Sequence, residues 1–268
     1  MNSILWSLRR ELWEHRWLWS VPLIAGAIAI AVFTSVVITQ LVTGGANIEL
    51  RISSVFDLAS RILLITGTLV AFVYCAESLH GERRDRAILF WKTWPVGDVT
   101  AVGAKAIVPL IIVPAVTLAL LIAADVIVRL VVIGKGIEVR APMVNPLAAT
   151  LEVIAAALWI APVYAWIMLV SAWARRAVLL LAFIPMVLLA FVEIMLGRNA
   201  PIGHALFYRG VGRHWPMKTA LDSIAGGAMI RTPAPELLRS LPLWGGVVVA
   251  ALLLAVVVRL RRRMMVHG

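Results

Sequence analysis

Long, nearly uninterrupted apolar segments constrain this chain more than any other feature. A helix rises about 1.5 Å per residue, so about 20 apolar residues cross the roughly 30 Å hydrocarbon core of a bilayer. The predicted spans cover residues 18–42, 56–78, 106–132, 147–173, 177–196 and 241–258. The sequence therefore predicts an all-α membrane protein with six transmembrane helices, forming a single domain over residues 1–268.

Composition argues against a soluble domain and against a nucleic-acid partner. The chain is 62% hydrophobic and 15% charged, whereas soluble domains are about 45–50% apolar and about 25% charged. The formal net charge is +11. In so apolar a chain, basic residues beside spans set topology or meet anionic lipid, so we expect membrane lipid as a partner and no nucleic acid.

Residues 2–16 have the pattern of an amphipathic helix lying in the membrane interface. Ile4, Leu5, Leu8 and Leu12 recur at helical spacing and form one apolar stripe. The charged residues of the remaining surface are Arg9, Arg10, Glu11, Glu14 and Arg16. A cleaved signal peptide is disfavoured because the charged part is long and no small-residue cleavage site is evident. A retained signal anchor is the alternative.

Lysine and arginine near span ends orient the chain. The predicted cytoplasmic side collects Arg9, Arg10, Arg16, Arg83, Arg84, Arg86, Lys92, Lys105, Arg175, Arg176, Arg259, Arg261, Arg262 and Arg263. Both termini are therefore predicted to be cytoplasmic, as is the stretch between the second and third spans. A short loop reaching Ser54 and a long loop over residues 197–240 are predicted on the outer side.

Apart from Glu77, at the inner end of the second span, the charged residues inside the spans fall toward the predicted outer side. Asp57 with Arg61, and Asp125 with Arg129, are one helical turn apart and are predicted to pair. Glu152 and Glu193 lie near the same side. These carboxylates either pack against loops and arginines or line a polar vestibule. Pro109 and Pro114 are predicted to kink the third span.

Sequence signatures of catalysis, metal binding and nucleotide binding are missing. The chain has no G-x-x-x-x-G-K-[ST] phosphate loop, no H-E-x-x-H, no paired cysteines and no G-x-S-x-G. We therefore expect no catalytic residue, no metal and no cofactor in this chain. An intramembrane enzyme, the alternative, would need polar catalytic groups near mid-span.

The stretch from His80 to Lys105 is too charged to cross a bilayer and too apolar for a plain linker. Asp85–Trp94 is predicted to form a short helix that Pro95 ends, because the residue before a proline disfavours the α region. Tryptophan and phenylalanine beside arginine and lysine are typical of binding hot spots. The predicted helix either enters a groove on a cytoplasmic partner or rests in the headgroup layer.

The spacing of Glu82-Arg83, Pro95-Val96 and Lys105 resembles the membrane subunit of ABC-2-type ABC transporters. In that family these elements mark the first cytoplasmic loop, between spans two and three. The six-span layout, the amphipathic N-terminal helix and the long outer loop before the last span are also similar. Arg86-Ala87 departs from the Gly-Thr usual in this loop.

The resemblance implies a permease subunit of an ATP-driven exporter in the bacterial cytoplasmic membrane. It implies a separate ABC ATPase subunit that binds ATP and Mg²⁺, and a second permease chain, identical or related. The residues implied in ATPase docking are Glu82, Arg83, Arg84, Asp85, Ile88, Leu89, Phe90, Trp91, Trp94 and Pro95. The alternative is a membrane scaffold or sensor that couples to an ATPase without transport.

Overall fold

The described chain is built from α-helices. In the computed structural model of the protein, the described residues are 3–43, 48–84, 97–134, 146–174, 177–195 and 234–266. Within them the chain is helical apart from short turns, and no strand is present. The predicted all-α class is confirmed.

Nine α-helices and one π-helical turn follow one another in the described ranges. The α-helices are α1 (Ser3–Glu14), α2 (Trp17–Thr43), α3 (Ile48–Arg84), α4 (Asp98–Ile107), α5 (Val113–Gly134), α6 (Pro146–Trp173), α7 (Val178–Met195), α8 (Ala234–Arg239) and α9 (Leu241–Val266). The π-helical turn, Val108–Ile112, joins α4 to α5. Two helices begin earlier than predicted: α3 includes residues 48–54, which were predicted as an outer loop, and α4 begins at Asp98, before the predicted start of span three.

Five stretches in the described part are long and apolar enough to cross a membrane. They lie in α2, in α3, in α4 with α5, in α6 and in α9. These helices indicate a membrane-embedded protein. The fifth predicted span, 177–196, coincides with α7, an 18-residue apolar helix. Membrane crossing by α7 stays a prediction.

Helix α6 lies at the centre of the bundle. It packs against α3, α5, α7, α8 and α9, and 72% of its candidate span is buried, compared with 18% for α2 and 22% for α9. Small residues such as Ala155 and Ala161 alternate with the larger Trp159 and Ile167 on its buried surface. Small side chains let neighbouring helix backbones approach closely, as is common in membrane bundles.

The peripheral helices expose large apolar side chains around much of their circumference. Leu180 and Val187 of α7 and Leu252 of α9 are 63–66% exposed. In water such surfaces would be an aggregation hazard, whereas the hydrocarbon of a bilayer solvates them. The outward surface of the bundle therefore fits a membrane environment.

The third predicted span is interrupted by the π-helical turn. Pro109 and Pro114 have no backbone N–H, so neither can donate the i→i−4 hydrogen bond of an α-helix. At this point the Val113 amide donates to the Val108 carbonyl, five residues earlier. The structure shows a π-helical turn at this point, and the predicted kink stays a prediction.

The connection between α6 and α7 is tight. Ala177 has φ 49°, a left-handed conformation that costs a non-glycine residue about 1–2 kcal/mol. The Trp166 indole N–H donates to the Ala182 carbonyl across the two helices, at 3.0 Å. The two helices therefore share a polar contact as well as apolar packing.

Candidate functional site

A buried polar cluster joins three helices, α1, α3 and α4. The Lys105 ammonium donates to Glu11 Oε1 at 2.7 Å. The Tyr74 hydroxyl donates to Glu11 Oε2 at 2.9 Å. Glu11 is 4% exposed, Lys105 is 2% exposed and Tyr74 is fully buried. The cluster ties α1 to both α3 and α4, which flank the predicted docking loop.

Helical periodicity explains how both charged residues come to face inward. Glu11 lies three residues after Leu8, on the side of α1 that faces the bundle, and Leu8 packs against the core. Lys105 lies three residues after Val102, which is 2% exposed. Residues three or four apart share one face of a helix, so each charge is on the apolar stripe of its own helix.

Electrostatics keep Glu11 ionised. Burial by itself would raise the pKa of Glu11. The Lys105 ammonium, the hydrogen bonds from Lys105 and Tyr74 and the nearby His15 lower it more, so its pKa lies below the ordinary carboxyl value. His15 Nε2 is 3.9 Å from Glu11 Oε2, and the His15 ring stands edge-on to Tyr74 with centroids 5.4 Å apart. A buried charge needs this kind of pairing, since alone it would be neutralised.

The beginning of α4 is held by the end of α9. Arg261 Nε lies 3.3 Å from Asp98 Oδ1, and Arg262 Nε lies 3.9 Å from Asp98 Oδ2. Asp98 is in the first turn of α4, where a negative charge also interacts favourably with the helix dipole. Helix α4 is therefore fixed near both ends, by α9 at Asp98 and by α1 at Lys105.

The end of α3 is held by the end of α6. The Ser171 hydroxyl accepts from the His80 amide at 3.0 Å and donates to the Ala76 carbonyl at 2.6 Å. These two backbone groups are i, i−4 partners, so the hydroxyl enters the hydrogen-bond ladder of α3. His80 Nδ1 lies 3.2 Å from the Ala174 carbonyl oxygen. The two helix ends that flank the predicted loop are thus both fixed to the bundle.

The predicted docking residues themselves lie largely outside the described part of the chain. Helix α3 ends with Glu82, Arg83 and Arg84, whose backbone is described and whose side chains lie outside the described part of the chain. Outside the described residues altogether are Asp85, Ile88, Leu89, Phe90, Trp91, Trp94 and Pro95. The docking helix therefore stays a prediction.

A cavity of about 30 Å³ lies beside the π-helical turn, between α3, α5 and α6. Most of its lining is apolar, and its polar lining groups are the hydroxyls of Thr68, Thr117 and Tyr164. A Cβ at Gly67 would lie 2.6 Å from Thr117 Oγ1, so glycine is required for the close approach of α3 to α5. The interrupted span thus has free space on the side that faces the bundle.

One of the two predicted charge pairs in the spans is present. Arg129 Nε donates to Asp125 Oδ2 at 2.7 Å, one turn apart on α5. The side chains of Asp57, Arg61 and Glu193 lie outside the described part. Within the ranges that the structure describes, no three histidine, cysteine, aspartate or glutamate side chains are grouped to hold a metal ion.

Comparisons of the chain with protein families, with curated proteins and with solved structures find no match. The candidate site therefore depends on the geometry of these residues. Periodicity assigned Glu11 to the polar side of α1, and the structure places it among the least exposed residues of that helix. Lys105, a lone charge in the apolar sequence AVGAKAIV, was the available signal that a buried partner is needed.

Proposed function

We propose that this protein is the permease subunit of an ABC-2-type, ATP-driven exporter. The observation that carries the proposal is the fixed position of α4. This helix follows the 82–95 loop, is joined to α1 through Lys105 and Glu11, and continues through the π-helical turn into α5. A displacement of the loop would therefore reach a membrane span directly.

In this proposal six spans cross the bacterial cytoplasmic membrane, with α7 as the fifth and both termini cytoplasmic. Two permease chains, identical or related, form the path. Two separate ATPase subunits bind ATP and Mg²⁺ and contact the loops, while this chain performs no hydrolysis. Coupling requires that the loop make different contacts in two states of the motor.

In this proposal the third span bends at the π-helical turn. Sharp bends occur at prolines and at π-bulges, and both are found here. The cavity beside Gly67 leaves space into which the neighbouring side chains can move. Motion of α4 would then change the packing of α5 against α3 and α6.

Co-purification tests the docking step. The chain is co-expressed with the proposed ABC ATPase partner, and the complex is isolated through a tag on the chain. Trp91→Asp with Trp94→Asp is expected to abolish the complex. Trp173→Asp is the matched control, because Trp173 is 70% exposed at the end of α6 on the predicted cytoplasmic side. An unchanged complex with the double variant would remove the docking role.

A further inference from the structure

The outward face of α1 combines aromatic rings with positive charge. Leu5, Trp6 and Trp13 are 62%, 52% and 68% exposed. The Arg9 guanidinium carbon lies 6.0 Å from the Trp6 ring centroid and 5.8 Å from that of Trp13. Both distances are within about the 6 Å range of a cation–π contact. Arg9 is thus held between two exposed indoles.

The opposite face of α1 fixes this orientation. Glu11 is bound by Lys105 and Tyr74 inside the bundle. Because breaking a buried charge pair is costly, α1 cannot rotate about its axis without leaving a buried charge unpaired. Trp6, Arg9 and Trp13 are therefore a permanent outer surface.

The position of α1 in the chain places this surface at the membrane boundary. Helix α1 ends at Glu14 and α2, with the first candidate span, begins at Trp17. Only the turn at His15–Arg16 separates them, and the Leu18 amide donates to the His15 carbonyl within it. Helix α1 therefore lies where the first span enters the bilayer.

Charge balance leaves the surface positive. Glu11 is paired with Lys105, and Glu14 lies 3.2 Å from Arg10. Arg9 and Arg16 are exposed, and neither forms a salt bridge to a carboxylate of the described residues. Guanidinium groups bind phosphate through two parallel hydrogen bonds, and tryptophan favours the headgroup layer.

We propose that the outer face of α1 is a binding site for an anionic phospholipid headgroup. Arg9 contacts the lipid phosphate, Trp6 and Trp13 flank it in the headgroup layer, and Arg16 adds to the preference for a net negative lipid. The proposal does not depend on the transport function. The recognised feature is a phosphate whose charge is not cancelled by a choline or an amine in the same headgroup.

Native mass spectrometry of the full chain in neutral detergent tests the site. Phosphatidylglycerol is titrated in, with phosphatidylcholine of the same acyl chains as the neutral control. Each basic residue near an anionic membrane surface contributes about 1 kcal/mol, or about five-fold in affinity. We therefore expect Arg9→Gln to weaken phosphatidylglycerol binding about five-fold. Arg259→Gln removes an exposed arginine of α9 and is expected to weaken binding less than Arg9→Gln does, because Arg259 is not part of the outer face of α1.

Two further measurements, the Arg9→Lys variant and competition by inorganic phosphate, distinguish a lipid site on α1 from general charge attraction and from a site for a free anion. Arg9→Lys keeps the positive charge but lacks the planar guanidinium that can form two parallel hydrogen bonds. It should therefore weaken phosphatidylglycerol binding less than Arg9→Gln does. Equal effects of Arg9→Gln and Arg259→Gln would overturn the proposal, as would equal binding of the two lipids. Displacement of phosphatidylglycerol by inorganic phosphate at the same concentration would assign the site to a free anion and would also overturn it.

Discussion

The Lys105 ammonium lies 2.7 Å from the Glu11 carboxylate, and each side chain is at most 5% exposed. The pair joins an N-terminal helix to the helix that follows the predicted coupling loop, across 94 residues of sequence. In the proposed function, this contact would transmit a displacement of α4 to α1. The same pair also determines which face of α1 is exposed.

Removing either charge of this pair should destabilise the protein, and removing both should cost much less. Glu11→Gln leaves the buried Lys105 ammonium without its opposite charge, and Lys105→Met leaves the buried Glu11 carboxylate without its own. Each change costs about 3–5 kcal/mol of stability. The double variant removes both charges. Unfolding of the solubilised protein, followed by circular dichroism in a double-mutant cycle, measures the coupling. Strictly additive losses would show that the two side chains do not interact.

Acid should destabilise the wild-type protein through Glu11. The folded pKa lies below the ordinary value of 4.5, so as pH falls the unfolded state takes up the proton first. The stabilisation is complete above pH 4.5 and is lost as pH falls through the lower folded pKa. Melting temperature measured across this range should fall less steeply for Glu11→Gln than for wild type. Parallel curves would assign the acid sensitivity to other groups.

Gly67 should not tolerate a larger side chain. In Gly67→Ala the new Cβ would lie 2.6 Å from Thr117 Oγ1, and overpacking of this kind costs about 1–3 kcal/mol. Gly103→Ala is the control, since nothing lies within 4 Å of its Cβ position, and it should be neutral or stabilising by up to about 1 kcal/mol. Thr117→Ala should partly rescue Gly67→Ala in the same thermal assay. Equal tolerance at both glycines would contradict the close approach of α3 and α5.

The hydroxyl of Ser171 should matter more than that of a serine bonded within its own helix. Ser171→Ala leaves the Ala76 carbonyl and the His80 amide without their shared partner, at a cost of about 1–3 kcal/mol. Ser35, whose hydroxyl donates to the Val32 carbonyl of α2, is the control and should change stability by less than about 0.5 kcal/mol. Hydrogen exchange at the end of α3 should rise only for Ser171→Ala. If protection there is unchanged, Ser171 does not hold α3 to α6.

Features encoded by local sequence were predicted well. The five candidate spans were predicted from apolar runs, because a helix must have a minimum apolar length to cross a bilayer. The ion pair of Asp125 and Arg129 was predicted from their spacing of one helical turn, and it is present in the structure. The positions of Pro109 and Pro114 led us to predict a kink, and the π-helical turn found there was not predicted.

The buried site was not predictable in the same way. An apolar stripe over Leu5, Leu8 and Leu12 assigned Glu11 to the solvent side, because periodicity treats every charge as exposed. In the structure the inward face is rotated to include Glu11, and Leu5 is 62% exposed. Lys105 makes this arrangement favourable, and no local pattern connects residues so distant in sequence. The contact of Ser171 with α3 is non-local for the same reason.

ATP hydrolysis by the reconstituted complex tests the proposed coupling most directly. The chain and the proposed ABC ATPase partner are placed together in lipid vesicles, and ATP hydrolysis is compared with that of the ATPase alone. We expect the wild-type chain to change the rate of hydrolysis. Trp91→Asp with Trp94→Asp should return the rate to that of the ATPase alone, and Trp173→Asp should leave the wild-type rate. If the ATPase hydrolyses ATP at one rate with the wild-type chain, with the double variant and without the chain, the proposed coupling is contradicted.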